Sequence, residues 1–461
     1  MHIKEVKVSV LIYVLNDQPH IEKCVRSVMD QSLQEIEIIL IDGGSTDRTP
    51  EIIEQLRQED ERIKLIQSDS GVGCQFNTGL RAAKGKYIGI CESDDYLASD
   101  MYLRQYEIAV KYDLDVLKAN VLRFCEDENG EEYSFLFSLS ADRTMYNRLL
   151  YPQEDRRFLK LGVNGFWSGL YRREFLEDNA LRMNETTGAS YQDITFSFLT
   201  ELYAVRAYVM SDAFYCYRMD NPNSSVNNPR KSSLLNTEYD LLKEQLQERG
   251  VWEQNKEIYW SWRTSGYLWF YDNMSDTMRE EFVPVLYHNI IEQVESEAYA
   301  GTELGHKEQE LCRAALCSFE ELRRYLLQTD QTWGQTQIRL LDSAADIVIF
   351  GTGNLGLLVK CYLERIGRPA AAGIDNAVWK WNTVLDGLKI LPPEEGVEKY
   401  PDAVYIIANV DHGREMLEQI RQFGVREDNI IVCSHYDLFL KKMLISRIKS
   451  DRGIQNRGKT E

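Results

Sequence analysis

The stretch that decides the fold is KYIGICESDD, residues 86–95. An apolar, β-rich run ends there directly before the acids of Glu92-Ser93-Asp94-Asp95. This pattern predicts a buried strand that delivers carboxylates to the carboxyl edge of a sheet. Closely packed carboxylates repel one another unless a cation neutralises them, and oxygen ligands suit Mg²⁺ or Mn²⁺, which in turn bind phosphates. Taken alone, the same four residues also fit a solvated turn, since Asp and Ser favour turns.

Strand and helix patterns alternate through residues 6–125, which indicates a parallel α/β sheet with ligands at the carboxyl ends of its strands. The predicted strands are 6–14, 35–41, 62–67 and 86–90, and the predicted helices are 20–31, 49–58 and 74–83.

Acid-bearing turns follow three successive strands of this pattern. They are Asp42-Gly43-Gly44-Ser45-Thr46-Asp47, Ser68-Asp69-Ser70-Gly71 and the Glu92–Asp95 turn. Any one of them could be a helix cap. Because parallel strands end at the same edge, we expect the three turns to line one crevice.

In order and spacing, these motifs resemble the inverting family-two glycosyltransferases of GT-A fold. The resemblance covers about the first 225 residues and continues beyond the acid turn. Its further motifs are Val8–Asn16, Asn77-Thr78-Gly79, Ala83–Gly89, Trp167–Arg173, Tyr191–Phe196 and Tyr217-Arg218.

The resemblance implies a nucleotide-sugar donor, most simply a UDP-sugar, and a divalent ion, Mg²⁺ or Mn²⁺. A metal on Asp94, with Asp95 beside it, would stabilise the charge that builds on the departing pyrophosphate. Gly43 replaces the second acid of the usual DDGS motif, and Glu92 stands where the family often has Asp. The positions that match donor-binding residues are Asn16, Asp42, Asp69, Asn77, Glu92, Ser93 and Arg218.

An inverting transferase also needs a carboxylate base, because a sugar hydroxyl is a poor nucleophile. By resemblance this catalytic base is Asp193, while Gln192 replaces the neighbouring acid of the family's ED motif. Asp193 also fits the N-cap of a helix over 194–202. Trp167 fits either stacking on an acceptor sugar or packing in the core, and Arg218 fits either a pyrophosphate contact or a solvated strand end.

A second α/β pattern begins at Asp346. The glycines Gly351, Gly353 and Gly356 follow a strand and open a helix, and Asp375 ends the next strand. This context is typical of a nucleotide-binding turn, and the segment resembles Rossmann-like domains of polysaccharide-biosynthesis proteins. Three interpretations stay open: nucleotide or sugar-nucleotide binding, a purely structural turn, and NAD redox chemistry. The last is disfavoured because the segment has no Tyr-x-x-x-Lys pair.

The predicted architecture is therefore a GT-A-type α/β domain (1–228), a mostly helical linker or acceptor region (229–341), a Rossmann-like α/β domain (342–440) and a basic tail (441–461). The tail fits either contact with an anionic membrane or a terminal helix followed by disorder.

Composition limits the binding partners and the cellular location that we expect. The net charge of −20 argues against nucleic-acid binding through the body of the protein. Nine scattered cysteines without ligand-spaced pairs indicate reduced thiols. The sequence shows no signal-peptide pattern and no run long enough to span a bilayer. We therefore expect a cytoplasmic protein, with any membrane contact peripheral.

These observations predict a metal-dependent inverting glycosyltransferase of cell-surface polysaccharide biosynthesis, acting on a saccharide or lipid-linked acceptor. A sugar nucleotidyltransferase is a weaker alternative, since Leu15–Pro19 lacks the Gly-rich, basic phosphate loop of that class. A nucleotide-sugar-binding scaffold with a decayed catalytic site is the non-enzymatic alternative.

Overall fold

A computed structural model describes residues 5–69, 71–126, 132–162, 165–188, 190–221, 232–272, 276–295, 304, 306–329, 335–409 and 412–433. The chain divides into two compact units, residues 1–262 and 263–461. The basic tail at 441–461 lies outside the described residues. The domain limits predicted from the sequence, at 228 and 341, stay predictions.

The first unit is built on a mixed ten-stranded sheet. Its strands are β1 (Val8–Val14), β2 (Ile36–Asp42), β3 (Ile63–Gln67), β4 (Tyr87–Ile90), β5 (Tyr96–Leu97), β6 (Val116–Glu126), β7 (Glu132–Phe137), β8 (Leu149–Leu150), β9 (Leu170–Arg172) and β10 (Ala207–Arg218). The path across the sheet is β3-β2-β1-β4-β9-β6-β10-β5, with β7 on β6 and β8 on β10.

The first four strands run parallel, with β1 between β2 and β4. Strand β9 is antiparallel to β4 and β6, and β6 runs parallel to β10. Every residue of β1 and β2 is buried, as expected for parallel strands covered on both faces. The carboxyl ends of β1, β2 and β4 therefore meet at one edge, as the sequence predicted.

Helices fill the connections and the region that follows. They are α1 (Ile21–Met29), α2 (Thr49–Glu59), α3 (Val72–Ala82), α4 (Met101–Lys111), α5 (Arg173–Asp178), α6 (Asp193–Tyr203), α7 (Ser232–Glu248), α8 (Trp252–Asp272), α9 (Asp276–Glu295), α10 (His306–Cys317), α11 (Phe319–Thr329) and α12 (Gln335–Ser343). The run from α7 to α12 confirms the predicted helical middle region. None of the helices in the described part of the chain is long and apolar enough to cross a membrane.

The second unit contains a six-stranded sheet. Its elements are β11 (Ile347–Phe350), α13 (Asn354–Arg365), β12 (Ala372–Ile374), β13 (Val384–Leu385), β14 (Leu388–Leu391), α14 (Pro393–Lys399), β15 (Val404–Ala408), α15 (Gly413–Gln422) and β16 (Ile430–Cys433).

The strand order of this sheet is β13-β14-β12-β11-β15-β16, and all pairs except β13–β14 are parallel. Apart from the β13 edge, this is the 3-2-1-4-5 order of doubly wound folds, in which the order reverses at β11. The α/β class predicted for both ends of the chain is confirmed.

Candidate active site

The first two loops at the carboxyl edge are tied together by Asn16. Its side-chain Oδ1 accepts a hydrogen bond from the backbone N–H of Thr46 at 2.7 Å, and its own N–H donates to Ser45 Oγ at 2.9 Å. Asn16 has a positive φ of 53°, which Asn tolerates better than most residues. Asn16 thus fixes the β1 loop against the loop after β2, beside the predicted donor pocket.

Asp42, the last residue of β2, is buried and shapes the same loop. Its Oδ1 accepts from the N–H of Ser45 at 3.0 Å, and its Oδ2 accepts from Gln67 Nε2 at 3.2 Å. Asp69, after β3, is exposed on this side of the sheet.

The structure gives a physical reason for Gly43. A Cβ at this position would lie 3.0 Å from Nε2 of Gln75. That buried amide donates to the carbonyls of Val14 and Ile41, both at 2.8 Å. A side chain at position 43 would press on Gln75 and disturb the bonds that it donates to these two strand-end carbonyls, so glycine suits this site.

Asn77 faces the protein rather than the crevice. Its Nδ2 donates to the carbonyl of Met183 at 2.9 Å and to Glu185 at 3.0 Å, and its Oδ1 accepts from the N–H of Met183. These bonds tie α3 to the segment before α6. The donor-binding role of Asn77 stays a prediction, and the site proposed below leaves Asn77 out.

Ser93 and Asp94, in the turn after β4, have different hydrogen-bond partners. Ser93 Oγ donates to Asp17 Oδ2 at 2.6 Å, and the other oxygen of Asp17 lies 2.6 Å from His20 Nδ1. Asp94 accepts from Asn221 Nδ2 through Oδ2 at 2.7 Å and from its own backbone N–H. In the described residues no other group donates to the Asp94 carboxylate, which leaves acceptor capacity for a ligand.

Asp95 is committed to the fold. It is buried, its Oδ2 accepts from Tyr215 Oη at 2.7 Å, and its Oδ1 accepts from the N–H of Arg218 at 2.7 Å. The guanidinium of Arg218 bonds Glu126 at 3.0 Å, Asp220 at 3.1 Å and the carbonyl of Asp94 at 3.1 Å. Arg218 and Asp95 thus brace the turn against β10. Their predicted roles as pyrophosphate contact and metal ligand stay predictions.

This turn concentrates negative charge away from water. Burial, Asp94 and Asp193 all raise the pKa of Glu92. Burial raises the pKa of Asp94, and the charge of Asp17 adds to the shift. Tyr13 of β1 donates to Glu92 Oε1 at 3.1 Å, and burial together with Glu92 and Asp193 raises the tyrosine pKa well above its usual range. A cation here would offset the repulsion among these acids.

The residues present fit a divalent ion bound mainly through its substrate. Among the described residues, no three His, Cys, Asp or Glu side chains form a metal-binding group. Mg²⁺ commonly uses only one or two carboxylates plus substrate phosphates. Asp94 supplies such a carboxylate, with acceptor capacity for a ligand and no cation paired to it in the described residues.

Asp193 is the first residue of α6, and its charge helps to raise the pKa of Glu92 and of Tyr13. The side chain of Asp193 is partly exposed. Burial and the charge of Glu238 raise its pKa to about 6, although a hydrogen bond from its own backbone N–H acts in the opposite direction. In the described residues no other group donates to the Asp193 carboxylate. A general base needs such a free oxygen and a pKa near the working pH.

Sequence reasoning missed the contribution of α7. Glu238 is 1% exposed, and its carboxylate accepts from Asn184 Nδ2 at 2.7 Å and Thr186 Oγ1 at 2.5 Å. It lies 45 positions beyond Asp193 in a helix whose composition gave no sign of a catalytic neighbour. Tyr13, Asp17 and Asn221 were also missed, although Tyr13 lies inside a motif quoted above.

Trp167 is a packed residue. It is 9% exposed and stacks on Tyr215 at 4.2 Å and on Tyr217 at 5.0 Å between ring centroids. The core-packing alternative therefore describes Trp167 in this structure.

In the second unit, the three glycines have distinct geometries. Gly351 has a φ of +94°, which favours glycine, and a Cβ on Gly356 would lie 2.0 Å from the carbonyl oxygen of Gly351. A Cβ on Gly353 would meet nothing within 4 Å. The first glycine thus allows the tight turn, the third allows close helix–strand packing, and open space lies in front of the second.

Asp375, expected to contact a ribose, already has internal partners. Its Oδ2 accepts from the N–H of Thr352 at 2.8 Å, from Thr352 Oγ1 at 2.7 Å and from Lys380 Nζ at 2.7 Å. Burial opposes its ionisation, but Lys380 and Thr352 outweigh burial and hold its pKa below the usual range. In this structure Asp375 stabilises the glycine turn.

Sequence comparison shows what this part of the chain is similar to. Residues 9–179 match the family model described as Glycosyl transferase family 2. This region includes the three acid turns and ends before Asp193.

Among curated relatives, the uncharacterized glycosyltransferase EpsJ of Bacillus subtilis is 32% identical over 240 residues, which cover 49% of this chain and 65% of EpsJ. The uncharacterized glycosyltransferase YibD of Escherichia coli is 28% identical over 244 residues, covering 51% of this chain and 68% of YibD. The chain thus spans about two thirds of the length of these relatives, and they match only about half of it.

Among solved structures, S. aureus TarS (residues 1–349) has a TM-score of 0.51 and 19% identity, covering 71% of this chain and 93% of that one. At this identity the match shows the fold alone, and it confirms the GT-A-like fold predicted for the first unit. A complex of the same TarS fragment with UDP-GlcNAc has a TM-score of 0.52.

Proposed function

We propose that this protein transfers a sugar, with inversion, from a nucleotide-sugar donor to a saccharide or lipid-linked acceptor in cell-surface polysaccharide synthesis. The observation that carries the proposal is the parallel arrangement of β1, β2 and β4, which places their acid-bearing ends at one edge of the sheet. Asp193, at the start of α6, lies close enough for its charge to help raise the pKa of Glu92 after β4. A donor-side acid cluster facing a carboxylate base is the arrangement that inverting transfer requires.

Binding of the donor is assigned to the carboxyl edge of β1 to β4. Asn16, Asp42 and Asp69 would line the pocket for base and ribose, with Glu92 and Ser93 closing it. UDP is the proposed nucleotide. TarS, which shares the fold, is described in complexes with UDP and with UDP-GlcNAc, which supports this choice.

The transfer step follows from the site. Asp193 takes the proton of the acceptor hydroxyl, and the oxygen attacks the anomeric carbon from the face opposite the nucleotide. The bond between that carbon and the diphosphate oxygen breaks, and the bonding electrons leave with the nucleoside diphosphate. Attack from the opposite face inverts the anomeric configuration.

Asp94 is the proposed protein ligand of a Mg²⁺ or Mn²⁺ ion. When bound, such an ion would stabilise the charge on the departing diphosphate. Asp95 and Arg218 hold the backbone of the turn, so that the carboxylate of Asp94 keeps its position. We also propose a cytoplasmic location, where nucleotide sugars are available.

The test is a panel of UDP- and other nucleotide sugars, measured for binding by thermal shift and for turnover with candidate acceptors, with and without Mn²⁺. Wild type should bind a donor in a metal-dependent way, and Asp193→Asn should bind it equally while losing turnover. Donor binding without turnover in wild type, across acceptors, would instead indicate the scaffold alternative. Absence of binding to any donor would contradict the proposal.

For the second unit, nucleotide binding at the turn of Gly351–Gly356 is proposed on one observation, the open space in front of Gly353 at the start of α13. Backbone N–H groups at a helix start can bind phosphate. Asp375 would then support the turn rather than contact the ribose. Calorimetry of the full chain with NAD(H), UDP and UDP-sugars should reveal a second binding event that Gly353→Val removes.

The matched control is Gly413→Val. Gly413 also begins a helix of this unit with nothing within 4 Å of its Cβ position. If both variants keep every binding event of wild type, the turn is structural.

A further inference from the structure

Resting on the proposed transfer reaction, we infer that Glu238 of α7 is a positioning residue for Asp193, because it anchors the segment that leads into α6 and places a negative charge near the base. The argument concerns the segment from Asn184 to Gln192, which leads into α6 and ends one residue before Asp193.

The carboxylate of Glu238 forms hydrogen bonds with this segment at two residues. It accepts from Asn184 at 2.7 Å and from Thr186 at 2.5 Å. Asn184 Nδ2 also donates to Thr195 Oγ1, in the first turn of α6, at 2.9 Å, and its Oδ1 accepts from Gln245 Nε2 at 2.9 Å. Helix α7 is therefore linked through Asn184 to the turn of α6 that carries Asp193.

A second path runs through Thr186 to Gln192. Gln192 Nε2 donates to Thr186 Oγ1 and to the carbonyl of Gly188, both at 3.1 Å, and its Oε1 accepts from the N–H of Ser190 at 2.7 Å. A glutamate at position 192 would lose both donated bonds. Gln192 thus holds the loop before α6 through neutral hydrogen bonds, and the negative charge that acts on Asp193 from this side comes from Glu238.

The opposite side of the segment is closed by α3. The N–H of Val72 donates to the carbonyl of Gly188 at 3.2 Å, and a Cβ on Gly73 would lie 1.9 Å from the carbonyl oxygen of Asn184. The segment is held between the start of α3, which follows the donor loop at Asp69, and α7. A substitution of Glu238 should therefore change the position or mobility of Asp193, the proposed base.

The charge of Glu238 reaches Asp193 as well. Burial raises the pKa of Glu238 itself, and the hydrogen-bond partners described for its carboxylate are neutral. Its negative charge helps to raise the pKa of Asp193. Among the described residues, the charge of Asp193 also helps to raise the pKa of Glu92 after β4, Tyr13 of β1, Tyr171 of β9 and Tyr191.

The experiment compares Glu238→Gln with two controls on the same helix. Glu244→Gln removes an equal charge from the exposed face of α7, and Gln245→Met removes the neutral bond to Asn184. Amide hydrogen exchange of residues 183–192 is measured on the full chain, and the pH dependence of kcat/KM is measured with whichever donor the panel identifies.

Glu238→Gln should speed exchange in 183–192 by about tenfold, the effect of losing a hydrogen bond to a charged group. It should also move the acid limb of the pH profile to lower pH, because a nearby negative charge that favours protonated Asp193 is gone. Glu244→Gln should change neither the exchange rate nor the pH profile. Gln245→Met should speed exchange and leave the pH profile unchanged.

Exchange like that of Glu244→Gln, or faster exchange with an unmoved pH profile, would overturn the inference. If Glu238→Gln does not fold, Thr186→Ala serves instead, because it removes one of the two hydrogen bonds to Glu238 and keeps the charge. Unchanged hydrogen exchange in Thr186→Ala would also overturn the inference. Hydrogen exchange needs no turnover. A wild type without transfer activity would therefore refute the proposed function, while the exchange result still decides the role of Glu238 as an anchor.

Discussion

Replacing Asp193 by Asn should make the protein more stable at neutral pH while it abolishes most of the proposed activity. The reason is the pKa of Asp193, which burial and Glu238 raise from an ordinary 3.8 to about 6. Folding therefore favours the protonated carboxyl, and at neutral pH the folded state bears the cost of an ionised one. Asn keeps the shape of the protonated acid without this cost.

The size of the effect follows from that pKa. Each pKa unit corresponds to about 1.36 kcal/mol, so the ionised group destabilises the fold by at most about 3 kcal/mol. Because the side chain is partly exposed, solvent screening reduces this, and we expect about 1 kcal/mol. For a unit of this size that is a rise in melting temperature of roughly 2–4 °C.

The sign is fixed by linkage. Below pH 3.8 both folded and unfolded chains are protonated at this residue, and the two proteins should melt alike. As the pH rises from 3.8 through about 6, wild type loses the stability associated with protonated Asp193, whereas the variant does not. The difference should be complete near pH 7.

Thermal unfolding of both proteins from pH 4 to pH 8 measures this difference. Turnover at saturating donor should fall by about two to four orders of magnitude, with donor affinity unchanged. A melting difference that is independent of pH, or a variant less stable than wild type at pH 7.5, would refute the reasoning. Normal turnover in the variant would show that another group is the base.

Three further predictions concern single positions. Asp94→Asn should abolish Mn²⁺-dependent donor binding and leave the melting temperature in the absence of metal unchanged or raised, as thermal shift with and without Mn²⁺ will show. Asp95→Ala should instead lower stability by about 1–3 kcal/mol in denaturant titration, because the buried hydroxyl of Tyr215 and the N–H of Arg218 both lose their acceptor. Gly43→Ala should lower the free energy of unfolding by about 1 kcal/mol, because a Cβ 3.0 Å from Gln75 Nε2 forces this buried amide to shift, so a neutral result would contradict the packing argument.

The parts of the fold that the sequence predicted well are those with short-range signals. The apolar runs of β1, β2 and β4 are long enough to reveal buried parallel strands, and residues that favour turns lie at or shortly after their ends, namely Asn16, Asp42 and Ser93-Asp94. Once the strands are parallel, geometry brings their carboxyl ends together. The convergence of Asn16, Asp42 and Glu92 at one edge therefore needed no knowledge of side-chain contacts.

The parts that the sequence did not predict depend on partners far along the chain. Asn77 and Asp375 match family motifs, yet their hydrogen bonds go to Met183 and Thr352, which no local pattern identifies. Glu238 lies in a helix with no distinctive motif. Its proximity to Asp193 arises only when α7 packs beside α6, and that tertiary contact leaves no periodic trace in the sequence.

The number of hydrogen bonds that each acid accepts from the protein separates the carboxylates of this site into two kinds. Asp42 and Asp95 accept through both oxygens, so a ligand would have to displace a native bond to reach either of them. Asp94 accepts one side-chain bond, from Asn221, and Asp193 accepts only from its own backbone among the described residues. Partly buried carboxylates with few protein donors are costly unless a ligand satisfies them. Asp94 and Asp193 are therefore better placed than Asp42 and Asp95 for the proposed reaction, in which one would face a metal and diphosphate and the other an acceptor hydroxyl.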